Sequence, residues 1–152
     1  MMVGKRVSIM ETSELTVARY KEALVGSRSK ISNKQYSMLQ AHYIAPNRTI
    51  TANELARAVG YSKFSAANSQ YGRLGRILCE ALGHHPSRRD DGSYRWWTVQ
   101  ADGVSPEDGR DFQWVMRPEL ARAIEELAWF AAQRVPPNGE SRDELRRNNE
   151  SF

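Results

Sequence analysis

Residues 51–78 read TANELARAVGYSKFSAANSQYGRLGRIL. Thr51 and Glu54 have the spacing of a capping box, in which the threonine oxygen accepts from a free backbone N–H and the glutamate reaches back to the cap residue. Gly60 can take the left-handed conformation that ends a helix, and Ser62 is expected to cap a longer helix after it. In that helix an apolar stripe recurs at steps of three and four residues: Phe64, Ala67, Tyr71, Leu74 and Leu78. A short helix, a turn and a longer helix form a helix-turn-helix.

Two further helices are predicted before this unit. The first opens at Ser13 and ends near Gly26, and the second is capped by Ser32. Pro46 stops the second helix, because proline lacks the backbone N–H and disfavours a helical residue before it. The helix-turn-helix is therefore expected to pack on a helical base.

The residues behind the helix-turn-helix predict a small sheet and a last helix. Residues 87–99 are expected to form a hairpin, because Asp91-Gly92 favours a tight turn and an aromatic, β-branched run follows it. Residues 102–111 are then expected to be polar loop, residues 112–117 a strand, and Pro118 the start of a C-terminal helix. The predicted fold class is α+β and mainly helical, with a helix-turn-helix followed by a short hairpin, which is the order of a winged helix.

Length and composition indicate one ordinary globular domain. The chain has 152 residues, of which 40% are hydrophobic and 26% charged. The expected divisions are a flexible leader over 1–12, a single winged-helix-like domain over 13–133 and a flexible charged tail over 134–152. Because the sequence offers no apolar run of membrane-spanning length and no secretory signal, we expect no membrane association and a cytoplasmic location.

Charge is distributed unevenly along the chain. Residues 1–89 carry 14 Lys/Arg against 5 Asp/Glu, a net charge of +9, whereas residues 90–152 carry 8 against 13, a net charge of −5. Such an asymmetry favours a polyanionic partner for the first part, although a solvated basic surface would look the same.

The apolar stripe fixes which residues of the longer helix point outward. The outward residues that could contact bases or phosphates are Ser62, Lys63, Ser65, Asn68, Ser69, Arg73 and Arg76. Three arginines flank the predicted wing and could grip phosphate: Arg88, Arg89 and Arg95. Asp90 and Asp91 lie among these arginines and weaken the expectation that the wing binds phosphate. Gly72 and Gly75 each lower helix propensity and indicate a close approach, either of DNA backbone or of a neighbouring helix.

Catalytic motifs are missing from the sequence. The single cysteine, Cys79, excludes an internal disulfide and a cysteine-based zinc site, and His84-His85 is most simply a pair of histidines at a helix end. The sequence contains no phosphate-binding glycine loop and no H-E-x-x-H or G-x-S-x-G motif. We therefore expect neither enzymatic activity nor a metal or other cofactor.

Several runs resemble a bacterial winged-helix-like module that occurs alone and fused to HNH-type restriction endonucleases. They are residues 39–43, 45–48, 51–52 with 55–56, 59–61, 66–75 (including NSQYGRLG over 68–75) and 114–119. The resemblance spans Glu14 to Phe130. It implies a role in DNA recognition associated with restriction or phage defence. Because the chain contains no HNH motif, any cleavage would belong to a partner nuclease.

The sequence thus predicts a non-enzymatic protein that binds double-stranded DNA, with a restriction-associated, defence-associated or regulatory role. A homodimer would suit it because helix-turn-helix units often read two half-sites. One alternative is an adaptor or inhibitor that binds a protein through the acidic second half: Asp102, Glu107, Asp108 and Asp111. Another is a nuclease subunit with a metal site at His84 and His85.

Overall fold

The structure, a computed structural model, describes residues 14–130. Its α-helices are α1 (Val17–Ser27), α2 (Asn33–Ile44), α3 (Ala52–Val59), α4 (Phe64–Leu82) and α5 (Pro118–Leu127). Its strands are β1 (Thr49–Thr51), β2 (Ala101–Val104) and β3 (Gln113–Met116). Short 3₁₀ turns cover Arg28–Lys30, Pro46–Arg48 and Trp96–Val99. The predicted class, a mainly helical α+β fold with a small antiparallel sheet and a C-terminal helix, is confirmed.

The predicted helix ends depend on local capping chemistry, and most of them are confirmed. Ser32 and Thr51 each form a complete capping box, at the start of α2 with Gln35 and at the start of α3 with Glu54. The first helix begins later than expected, because Thr16 caps it through the Arg19 amide. Ser13, the expected start, lies outside the described residues, as do the predicted leader over 1–12 and tail over 134–152.

The helix-turn-helix consists of α3 and α4. Gly60 ends α3 with a φ of 85°, as its position in the sequence predicts. The stripe on α4 is buried from Ala67 to Leu78, but its first member was assigned wrongly, since the Phe64 side chain is 55% exposed. Lys63 rather than Ser62 occupies the N-cap position of α4. The first turn of α4 therefore extends beyond the core.

One antiparallel sheet joins residues from both sides of the helix-turn-helix, in the strand order β1-β3-β2. Ile50 of β1 and Gly103 of β2 both pair with Trp114 of β3. Strand β1 leads directly into α3, so the sheet fixes where the helix-turn-helix begins.

The hairpin predicted over residues 87–99 is wrong in its second strand. The tight turn exists, with Gly92 at a φ of 91° and a single bridge between Arg88 and Tyr94, but Trp96–Val99 is a 3₁₀ turn. This segment packs on α4 and buries Val99 completely, which overrides the strand preference of its side chains. The hairpin that follows the helix-turn-helix is β2–β3, so the loop predicted over 102–111 begins instead after Val104.

A buried histidine ties the sheet to the helices. His42 of α2 is fully buried, and its Nε2 lies 2.9 Å from the Arg48 carbonyl oxygen and 3.0 Å from the Trp114 carbonyl oxygen. Its Nδ1 contacts the hydroxyl of Tyr71 on α4. Because carbonyls only accept, Nε2 carries the hydrogen and Nδ1 accepts from the tyrosine.

Within residues 14–130 no helix is both long and apolar enough to cross a membrane.

The capping box of α3 gives the first testable prediction. Thr51→Ala removes the side-chain acceptor of the Glu54 amide and should lower the free energy of unfolding by about 1 kcal/mol. Urea denaturation followed by circular dichroism measures it, with Thr49→Ala, whose hydroxyl donates only to the Asn47 carbonyl, as the control. Equal midpoints for the wild type and Thr51→Ala would contradict the assigned cap.

Candidate nucleic-acid interface

The exposed face of α4 forms one wall of an open groove of about 350 Å³, here called the α4 groove. Seven residues were selected from the sequence as the outward side of the longer helix. Five of them line the groove: Ser65, Asn68, Ser69, Arg73 and Arg76. The other two, Ser62 and Lys63, are exposed residues just before α4 and do not line the groove. Helical periodicity therefore identified a continuous surface, because it identified the buried side correctly.

The opposite wall is the segment that the sequence had assigned to a hairpin. Arg89, Tyr94, Trp96 and Trp97 line the groove from this side. The Tyr94 and Trp96 rings lie 4.8 Å apart between centroids, and the Arg76 guanidinium lies 5.4 Å from the centroid of Trp96. The groove thus combines cationic and aromatic side chains.

The two glycines of α4 have different roles. A Cβ on Gly75 would lie 2.4 Å from the Trp96 carbonyl oxygen, so this glycine allows the 3₁₀ segment to pack against the helix. A Cβ on Gly72 would meet nothing within 4 Å, and Gly72 lines the groove. The sequence left open whether these glycines allow a close approach of DNA backbone or of a neighbouring helix. Gly75 allows close packing within the protein, but against a 3₁₀ segment and not a helix.

The arginines of the groove differ in how far they are already engaged. Arg76 pairs with Glu80 at 3.2 Å, with both side chains more than half exposed. Arg73 makes no hydrogen bond or ion pair with any residue of the described range. The exposed ion pair between Arg76 and Glu80 contributes little to stability. The guanidinium groups of Arg73 and Arg76 can therefore both turn to an incoming anion.

The three arginines predicted at the wing instead belong to the turn over residues 87–95. Arg88 donates to the Tyr94 hydroxyl at 2.7 Å, and Arg95 donates to the Arg88 carbonyl at 2.6 Å. Arg89 donates to the Tyr94 carbonyl at 2.9 Å. Only Arg89 of these three lines the α4 groove, and Arg88 and Arg95 mainly hold the turn together.

The acidic residues of this turn are used locally. Asp91 accepts from the Ser93 amide at 2.9 Å and from its hydroxyl at 2.7 Å. These hydrogen bonds lower the pKa of the Asp91 carboxyl. The lining of the α4 groove itself contains three arginines and no carboxylate.

A second concavity, here called the Phe64 pocket, was missed by the sequence analysis. It measures about 270 Å³ and lies between α3, the first turns of α4 and β3. Its lining is Ala52, Asn53, Phe64, Asn68, Asp111, Phe112 and Trp114. Asn68 belongs to both concavities, so they adjoin each other on α4. The exposure of Phe64 was hidden because its position continues the helical period of the core.

The two adjacent histidines lie away from both concavities. His84 and His85 line an open polar pocket together with Glu14, Arg117 and Glu119. Burial lowers the pKa of His84, and the positive charges of Arg117 and Arg19 lower it further. The described part of the chain contains no group of three or more potential ligands placed to hold a metal ion.

In comparisons with known proteins, no family model, no curated protein and no solved structure matches this chain.

Proposed function

We propose that this protein is a non-enzymatic DNA-binding protein that contacts double-stranded DNA through the α4 groove. The observation that carries the proposal is the meeting of three arginines, three short polar side chains and two adjacent aromatic rings in one groove on the second helix of a helix-turn-helix. In such units the second helix enters the major groove and its outward residues reach base edges.

Each class of lining residue has a function in this proposal. Arg73, Arg76 and Arg89 displace counterions from phosphates, which supplies most of the affinity and makes it depend on salt. Asn68 can pair bidentately with adenine, and a short serine such as Ser69 admits a close approach of the bases. Lys63 extends the cationic surface at the N-terminal end of α4.

The proposal includes a biological setting that the sequence resemblance suggests. The protein would act in the cytoplasm and direct a partner nuclease in restriction or phage defence. A homodimer would present two copies of α4 to two half-sites.

The acidic second half offers less support for a protein-binding function. Asp108 binds Arg110 of the same loop, with the closest contact at 2.7 Å, and Asp111 accepts from the Asn53 amide at 2.9 Å. Asp102 pairs with Arg117 at 3.5 Å, so three of the four carboxylates assigned to that surface are already engaged within the chain.

Fluorescence anisotropy of a labelled duplex across a salt series tests the proposal. We expect binding to weaken steeply with salt, and the double variant Arg73→Ala/Arg76→Ala to bind at least about tenfold more weakly with a smaller salt slope. The slope should fall by about 0.9 for each phosphate contact that is lost.

The matched control is Arg122→Ala on α5. Arg122 is an exposed arginine that pairs with Glu126 at i+4, as Arg76 pairs with Glu80, but it does not line the α4 groove. The control removes one positive charge and the double variant removes two. A loss of binding free energy in the control that is half of that in the double variant would therefore mean that binding follows net charge alone. No binding at low salt would overturn the proposal.

A further inference from the structure

The Phe64 pocket has features that DNA binding through arginines does not use. The side chain of Phe64 is 55% exposed and that of Phe112 is 44% exposed, so two large aromatic rings line it at the surface. Phe112 packs edge-on against Trp97, with ring centroids 5.7 Å apart. The rings of Phe112 and Phe64, both in the described range, do not contact each other. Exposed aromatic faces beside a nucleic-acid-binding surface are the usual platforms for bases.

Polar groups in the pocket complement these rings. Trp114 is buried, and its indole N–H has no hydrogen-bond partner among residues 14–130. The Asp111 carboxylate accepts only from Asn53, which leaves acceptor capacity, and the Asn68 side chain makes no hydrogen bond within the described range. The Asp111 carboxylate and the Asn68 amide are therefore the polar groups of the lining that can bind an occupant.

The charge of the pocket selects the kind of occupant. Asp111 and the absence of any Lys or Arg from the lining oppose a phosphate, whereas an uncharged base with an exocyclic amino group can donate to the carboxylate. The volume of about 270 Å³ lies just below the range of about 300–1,000 Å³ for drug-sized ligands and suits one planar ring system.

We infer that the Phe64 pocket receives a single unpaired nucleobase that carries an exocyclic amino group, from the same DNA that the α4 groove holds. The inference rests on the proposed function, because Asn68 joins the pocket to the groove and the groove would deliver the strand. The rings of Phe64 and Phe112 would contact the faces of the base, and Asp111 would accept from its amino group. Enzymes that act on single bases hold the extruded base in a snug pocket, and the cost of extrusion is least for a base that is already unpaired.

The experiment compares three labelled duplexes that differ at one position: fully paired, with one unpaired deoxyadenosine, and with one unpaired thymidine. We expect the duplex with unpaired deoxyadenosine to bind about fivefold or more tightly than the other two. Asp111→Ala, which removes the acceptor, and Phe112→Ala should each reduce this preference to near one. Asp108→Ala, which removes a carboxylate of the same loop outside the pocket, should keep it.

The outcomes separate the two proposals. If all three duplexes bind equally with a steep salt dependence, the pocket does not hold a base and DNA binding through the groove stands. If unpaired thymidine is preferred as strongly as deoxyadenosine, recognition of the amino group is wrong. If no duplex binds, both proposals fail. Because the readout is a ratio within each variant, a general change in affinity from Asp111→Ala cancels.

Discussion

Gly75→Ala is expected to lower the free energy of unfolding by about 2 kcal/mol, although alanine is the better helix former. The added Cβ would lie 2.4 Å from the Trp96 carbonyl oxygen and 2.7 Å from its carbonyl carbon. These are backbone atoms, so the 3₁₀ segment must move away from α4, and overpacking of this kind costs about 1–3 kcal/mol or occasionally more. We expect an overpacking cost near the upper end of this range, because the clash is with backbone atoms. The gain in helix propensity, about 1 kcal/mol, offsets only part of that cost.

Gly72→Ala provides a control three residues earlier on the same helix. Its Cβ would meet no atom within 4 Å, so we expect it to stabilise the protein by up to about 1 kcal/mol. Chemical denaturation of both variants measures the difference. Equal stabilisation by the two substitutions would mean that the segment over residues 96–99 does not pack against α4.

This contrast between two glycines illustrates what the sequence could predict. The capping boxes at Ser32 and Thr51, the helix end at Gly60 and the helix start at Pro118 depend on residues only a few positions apart. Each was therefore visible as a local pattern. The close approach at Gly75 depends on Trp96, 21 positions away, and the sequence indicated only that something comes near.

The error at Trp96–Val99 has the same origin. Aromatic and β-branched residues prefer strands because such side chains pack well on a pleated surface, and that preference depends on which surface is available. Here the available surface is α4, where Val99 is buried and its carbonyl accepts from the Tyr20 hydroxyl at 2.5 Å. No pattern within residues 87–99 contains that information.

The candidate interface was predictable on one side only. The outward residues of α4 follow from helical periodicity, so the sequence alone identifies Arg73 and Arg76 as exposed. The facing wall, with Tyr94 and Trp96, and the Phe64 pocket depend on tertiary packing. The assignment of Phe64 to the core failed because periodicity gives the direction of a side chain but not where the neighbouring layer ends.

His42 is expected to make the stability of the protein depend on pH in a defined range. Burial lowers the pKa of His42 from its ordinary value of 6.5 to about 4, because a charged imidazolium would lose its hydration. Between these two values the unfolded chain binds a proton that the folded chain does not, so stability falls as the pH falls from about 6.5 to about 4. The total loss should be about 3 kcal/mol, and stability should be independent of this group above that range.

Urea denaturation at half-unit steps of pH between 4.5 and 8 covers most of this range, and comparison with the variants separates the contribution of His42 from carboxylate titration near the lower end. The variant His42→Gln removes the titrating group while its amide can still donate to the Arg48 carbonyl and accept from the Tyr71 hydroxyl. It should be less stable than the wild type at neutral pH and should lose most of the slope between pH 4.5 and 6.5.

His84→Gln is the matched control, because the pKa of the half-buried His84 is also lowered, and it should retain the slope due to His42. A slope that survives in His42→Gln and disappears in His84→Gln would transfer the pH dependence to His84 and contradict the neutral, doubly hydrogen-bonded state assigned to His42.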